Sequence, residues 1–231
     1  MIWFIPVLTL IKSSQFMDAI YTRSNPSPRY KELLSLYRQM HEEGERFMGL
    51  PPEKTFPGQS LPPQAPRIAR LIDLTGARTI LDYGSGKGIQ YQQSPIEIPG
   101  VGVFNSIQDY WAVDSIRCYD PNYEPYAELP TGKFGGVICT DVLEHCPEPD
   151  LPWILREIFG YAEKFVFANA ACYPARKRLA NGENAHCTIR PPDWWAQLIQ
   201  EIAGEYPQLK WKIVIQHIQP QGIVEAPLSN Y

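Results

Sequence analysis

The sequence contains no run of basic residues, no Cys-x-x-Cys pair, no apolar stretch of membrane-spanning length and no internal repeat. Binding a polyanion normally requires a Lys/Arg stripe. With a net charge of −4 and no such stripe, nucleic acid is not expected as a partner. The five cysteines, Cys118, Cys139, Cys146, Cys172 and Cys187, are scattered along the chain. Cys118 and Cys139 fall in apolar, strand-like runs, which suits a reducing cytosol better than a disulfide framework. The group His145, Cys146, Cys172, His186 and Cys187 lacks metal-ligand spacing, so no metal is expected. Met1 to Ile11 is strongly apolar, but a bilayer needs about 20 such residues. The segment also lacks the basic region and small-residue cleavage site of a secretory signal. A cytoplasmic protein with no membrane partner is therefore expected. Oligomeric state and the role of the first 16 residues stay open.

At 231 residues, 44% hydrophobic and 20% charged, the chain suits one soluble α/β domain. Its 23 prolines cluster at 51–66, 121–130, 147–152 and 191–192, where they mark connections and helix starts. Residues 28–48 predict an amphipathic helix interrupted near Gly44, with Leu33, Leu36, Tyr37, Met40, Phe47 and Met48 on one stripe. Tyr37 fits that stripe and is read as packing. A Pro-rich extended connection should follow from Met48 to Pro66, then a helix from Pro66 to Thr75 with Gly76 as its cap. Residues 1–65 are accordingly an N-terminal arm and a helix that could act as a lid, part of the same domain as 66–231.

The stretch Thr79 to Gly88, Thr-Ile-Leu-Asp-Tyr-Gly-Ser-Gly-Lys-Gly, reads as a buried strand entering a turn with three glycines. Such a turn lets backbone approach a polar ligand. A short helix at 89–93, a loop at 95–104 and a helix at 106–112 capped by Asn105 are expected next. Strands are predicted at 115–119, 136–140 and 164–168, and a helix capped by Asp150 runs to about Phe159. A further helix spans Pro191 to Gly204. The alternating run 209–218 and a short strand at 223–225 form an antiparallel hairpin. Strands alternating with helices predict a mainly parallel sheet covered by helices on both faces, with ligands at the strands' carboxyl ends.

Three of those ends carry polar signatures: Asp82 to Gly88, Asp120 in Tyr-Asp-Pro, and Asp141 to His145 in Asp-Val-Leu-Glu-His. On this ordered set, over residues 66–225, the chain resembles the class I, Rossmann-like S-adenosylmethionine-dependent methyltransferases. The resemblance implies that Asp82, Gly84, Ser85, Gly86 and Gly88 face the amino-acid portion of S-adenosyl-L-methionine, the backbone donating to its carboxylate. It implies that Asp120 holds the ribose hydroxyls, since a carboxylate offers two acceptor oxygens. Asp141 and Val142 would border the reacting methyl, and Glu144 the substrate pocket. His145 and His186 are candidate general bases, because imidazole accepts protons near neutral pH. Tyr30 and His41 on the first helix and Asn184 in the 169–190 loop are candidate substrate contacts.

The chain departs from the family's pattern after Asp120. Only residues 121–133 precede Phe134, too few for the usual helix, edge strand and helix. At roughly 3.3 Å per residue they can still cross the neighbouring strand, so the sheet should close with a shortened edge. The adenine contact has no assigned residue. The dinucleotide-binding alternative fits poorly: the turn spacing is Gly84-x-Gly86-x-Gly88, and the next strand-end acid lies 32 residues past Gly88. The expected activity is methyl transfer to a small polar or sugar-like acceptor. The alternatives are a nucleic-acid methyltransferase and a non-catalytic module that binds the cofactor.

Overall fold

The computed structural model describes residues 21–231; the apolar segment 1–16 lies outside them. Its centre is a six-stranded sheet of β1 (Thr79–Tyr83), β4 (Ser115–Tyr119), β5 (Phe134–Thr140), β6 (Ala162–Ala171), β7 (Lys210–Gln219) and β8 (Gly222–Ser229). The spatial order is β4-β1-β5-β6-β7-β8. Every pairing is parallel except β7 with β8, which closes the sheet as an antiparallel hairpin. The α/β class and the hairpin are as expected, and β4 is the edge: the 121–133 connection carries a 3₁₀ turn at Glu124–Tyr126 and no strand.

Both faces of the central strands β1, β5 and β6 are buried, which is why these strands lack a polar side. Val137, Cys139, Val166, Ala168, Trp211, Ile213 and Ile215 point into one core with α4 (Leu151–Tyr161) and α5 (Pro192–Gly204). Ile80, Ile138, Phe165, Phe167 and Val214 pack on the other face against α2 (Leu61–Thr75) and α3 (Ile107–Trp111). A smaller core joins Leu33, Tyr37 and Met40 of α1 (Pro28–Glu43) to Leu179 and Ala185. That third core holds α1 against the loop that follows β6.

Several boundaries differ from expectation. Helix α2 starts at Leu61 and contains Pro66, so the division at 65/66 falls inside a helix. Prolines 62 and 63 sit in the first turn, where a missing N–H costs nothing, and a single further lost bond at Pro66 is tolerated. Helix α1 stops at Glu43, before the left-handed Gly44 (φ 91°), and Phe47 and Met48 are exposed instead of continuing its stripe. Residues 95–104 are not a loop: β2 (Ile96–Ile98) and β3 (Gly102–Phe104) form a hairpin around Pro99-Gly100. The helix after Gly88 is only a 3₁₀ turn, Ile89–Tyr91, and Ser106, not Asn105, caps α3. Asp150 precedes α4 without capping it. Its carboxylate instead accepts from the Ser27 N–H at 3.0 Å, the Ser27 hydroxyl and the Trp153 indole at 2.9 Å, tying the start of α1 to α4.

Candidate functional site

The order β4-β1-β5 makes the three polar strand ends neighbours. They open into a cavity of about 690 Å³, roofed by α1, by Phe56–Ser60 and by the loop Tyr173–Lys177. Gly84, Ser85, Gly86, Asp120, Asp141, Val142, His145, His186, Tyr30 and His41 all line it. Its volume is in the range of small-molecule and cofactor sites, roughly 300–1,000 Å³.

The glycine turn is tightly tied. The Gly84 and Ser85 N–H groups both donate to the Tyr119 carbonyl, at 2.7 and 3.1 Å, and Gly88 N–H donates to the Ser85 carbonyl at 3.2 Å. Gly86 N–H donates to Asp120 Oδ2 at 2.9 Å, and Asn122 N–H to Asp120 Oδ1 at 2.8 Å. Asp120 is buried, and burial raises its carboxyl to about 6. Each of its oxygens keeps a lone pair for a further donor. A Cβ at Gly84 (φ +84°) would stand 2.3 Å from Val142 Cγ2, so glycine here fixes how closely the β1 and β5 ends meet. Gly88 serves packing: its Cβ would meet the Tyr126 ring at 2.9 Å.

Asp82 does not reach the cavity wall. It is 1% exposed beneath the turn, where Oδ2 accepts from Tyr91 OH at 2.8 Å and Gln90 Nε2 at 3.2 Å, and burial raises its carboxyl to about 7. Lys87, in the middle of the turn, donates to the carbonyls of His41 (3.0 Å) and Pro52 (2.6 Å). It fastens the turn to the end of α1.

The rest of the lining holds imidazoles and cations. His145 and His186 stand edge to face with ring centroids 4.7 Å apart. His145 Nδ1 lies 2.9 Å from the Ala185 carbonyl and 2.8 Å from the Tyr37 hydroxyl, which itself donates to that carbonyl. His186 Nδ1 is held by the Tyr173 carbonyl. A carbonyl partner assigns the proton to Nδ1 and leaves Nε2 as an acceptor on each ring. Burial lowers His145 to about 3 and also lowers His186, so both rings are neutral near pH 7 and weaker bases than a free imidazole. His41 is lowered to about 4 by burial and by Lys87 and Lys177, and stacks on Phe56 with centroids 4.1 Å apart.

Asp141 is the exposed floor of the cavity, left-handed at φ 54° and bonded by Asn169 Nδ2. Besides Asp82 and Gly88, two more sequence candidates, Glu144 and Asn184, lie off this cavity. Glu144 is fully buried; its carboxylate accepts from Ala171 N–H at 3.1 Å and its carbonyl from Cys187 and Thr188. Asn184 folds the loop internally, accepting from Ala175 and His186 N–H and donating to the Ala175 carbonyl, each at 2.9 Å. Both position His186 and its neighbours instead of facing the space.

Sequence reading missed Tyr37, Phe56, Gln90, Tyr173, Arg176 and Lys177, all on the wall. Only the Tyr173–Lys177 stretch carried a usable signal, since it directly follows a parallel strand's carboxyl end. The chain matches no protein-family model, no curated protein and no solved structure. Fold and site together define an α/β protein with a cavity at the carboxyl ends of a mostly parallel sheet. Among the described residues no helix is long and apolar enough to cross a membrane.

Proposed function

We propose that this is a Rossmann-like, class I S-adenosylmethionine-dependent methyltransferase acting on a small polar acceptor in the cytoplasm. One observation carries the reading: the glycine turn, Asp120 and Asp141 end three adjacent strands and line a single cavity, with Asp120 bonded to the turn itself. A second acceptor site remains on each Asp120 oxygen, which fits a ribose diol. The cavity is large enough for a nucleoside thioether with a small molecule beside it.

S-adenosylmethionine would supply an already activated methyl group on its sulfonium. The protein's task is then alignment of the acceptor, which by itself can provide most of the acceleration. Val142 and Asp141 line the cavity, and His145 and His186 offer neutral Nε2 atoms that would take a proton from an acceptor hydroxyl or ammonium. Tyr37 holds His145 in the tautomer this requires. Titration calorimetry with S-adenosylmethionine and S-adenosylhomocysteine tests the reading: micromolar to submillimolar binding is expected, and silence for both at millimolar concentration removes it.

A further inference from the structure

The resemblance expected the glycine turn to bind the cofactor's carboxylate through backbone N–H groups. Four of the five N–H groups from Gly84 to Gly88 already donate within the fold, to Tyr119, Asp120 and Ser85. The Lys87 ammonium is also engaged, by two carbonyls. A carboxylate arriving at this turn therefore needs a cation from elsewhere, because an anion taken out of water without a partner is costly.

The cavity wall contains two further cations, Arg176 and Lys177. Arg176 is exposed, whereas Lys177 is partly buried and its side chain has no hydrogen-bond partner among the described residues. The Lys177 ammonium sits 4.8 Å from the centre of the Phe56 ring. Phe56 in turn abuts the turn: a Cβ on Gly86 would lie 3.0 Å from Phe56 Cβ. Lys177 thus stands across one aromatic ring from the glycine turn. Desolvation lowers its pKa, while the carboxylates that act on it at a distance, Glu45 and Asp141, form no ion pair with it. A partly buried ammonium with an aromatic shelf and no acceptor is suited to a ligand anion.

We propose that Lys177 binds the α-carboxylate of the cofactor's amino-acid portion, taking the role expected of the turn's backbone. The assignment rests on the methyltransferase reading. It is tested by calorimetry on the full chain with two probes, S-adenosylhomocysteine and 5′-methylthioadenosine, which shares the nucleoside thioether but lacks the amino acid. Lys177→Gln should weaken S-adenosylhomocysteine roughly tenfold, the effect of losing one charge-assisted hydrogen bond. It should leave 5′-methylthioadenosine within about twofold. Lys177→Arg should recover most of the loss. Equal weakening of both probes would mean that Lys177 only shapes the wall, and unchanged affinity for S-adenosylhomocysteine would leave it to the acceptor; either overturns the proposal. A wild-type chain that binds neither probe fails the methyltransferase reading itself, which separates the two failures. The Lys177 side chain makes no hydrogen bond among the described residues, and thermal melts of both variants check that they fold as wild type does.

Discussion

The two walls of the cavity are built on opposite plans. On the turn side, Gly84, Ser85, Gly86, Gly88, Asp120 and Asp82 are bonded to one another or to adjoining backbone, so their geometry is set before any ligand arrives. Elsewhere on the lining, His145 and His186 are each held at one nitrogen only. Preorganised polar groups suit a ligand that never changes, and free acceptors and donors suit binding and proton transfer during reaction. On the methyltransferase reading proposed above, the difference would give the turn to the constant ligand and the two histidines to proton transfer.

The largest effect is expected at the turn. Gly84→Ala forces a Cβ to 2.3 Å from Val142 at a positive φ. Overpacking and left-handed strain together should cost about 3 kcal/mol, read as a lower urea midpoint. A variant as stable as wild type would show that the turn wall is not rigid. The facing wall should respond in activity instead. His145→Gln should lower methyl transfer about 100-fold, the scale of general-base catalysis, with S-adenosylhomocysteine affinity unchanged. Equal loss in binding and rate would erase the division of labour between the walls.

The walls also titrate in opposite senses. Asp82 rises from 3.8 to about 7 and Asp120 to about 6. The folded state thus holds their protons longer, and their contribution to stability is present below pH 3.8 and lost as pH climbs through 6 to 7. His145 falls from 6.5 to about 3 and His41 to about 4. Their contribution is full above pH 6.5 and lost as pH falls below it. Between about pH 4 and 6.5 the two sets oppose each other, which flattens the net profile. Asp82→Asn should remove part of the acid-side slope, at most about 1.4 kcal/mol per pH unit. Stability measured by urea melts across this range should then rise with pH more steeply than in wild type. An unchanged profile would show that Asp82 does not titrate there.

How legible each wall was in the sequence follows from the same contrast. The turn wall rests on short local signals: a strand with its glycine turn, and an acid at each of two further strand ends, are each written in a few consecutive residues. The 96–104 hairpin was hidden inside a span expected to be a loop, although its Pro99-Gly100 is itself turn chemistry. The start of α2 was hidden by Pro62 and Pro63, which a first turn accommodates, and by Pro66, which the helix carries inside it. The facing wall is assembled from distant segments. Tyr37 has a helical-stripe position and fills the small core with Leu33 and Met40, yet its hydroxyl meets His145 across 108 residues of chain. Asn184 and Glu144 look like exposed polar candidates and are spent folding the loop that presents His186. Burial, which decides between these roles, is a tertiary property.

The smallest predicted effect tests that facing wall at its most redundant point. The Ala185 carbonyl accepts from both the Tyr37 hydroxyl and His145 Nδ1. Tyr37→Phe removes one donor and leaves the carbonyl satisfied by the other, so the stability cost should be about 0.5–1 kcal/mol. The ring stays in its core, and its contact with Phe56 at a 6.5 Å centroid distance is retained. With the phenol gone, His145 keeps its Nδ1 proton on the carbonyl but loses one of its two restraints, and methyl transfer should fall only a few-fold while cofactor affinity holds. A drop as large as that of His145→Gln would instead make the Tyr37 hydroxyl part of the reacting constellation, and would extend the chemical wall from the sheet onto α1.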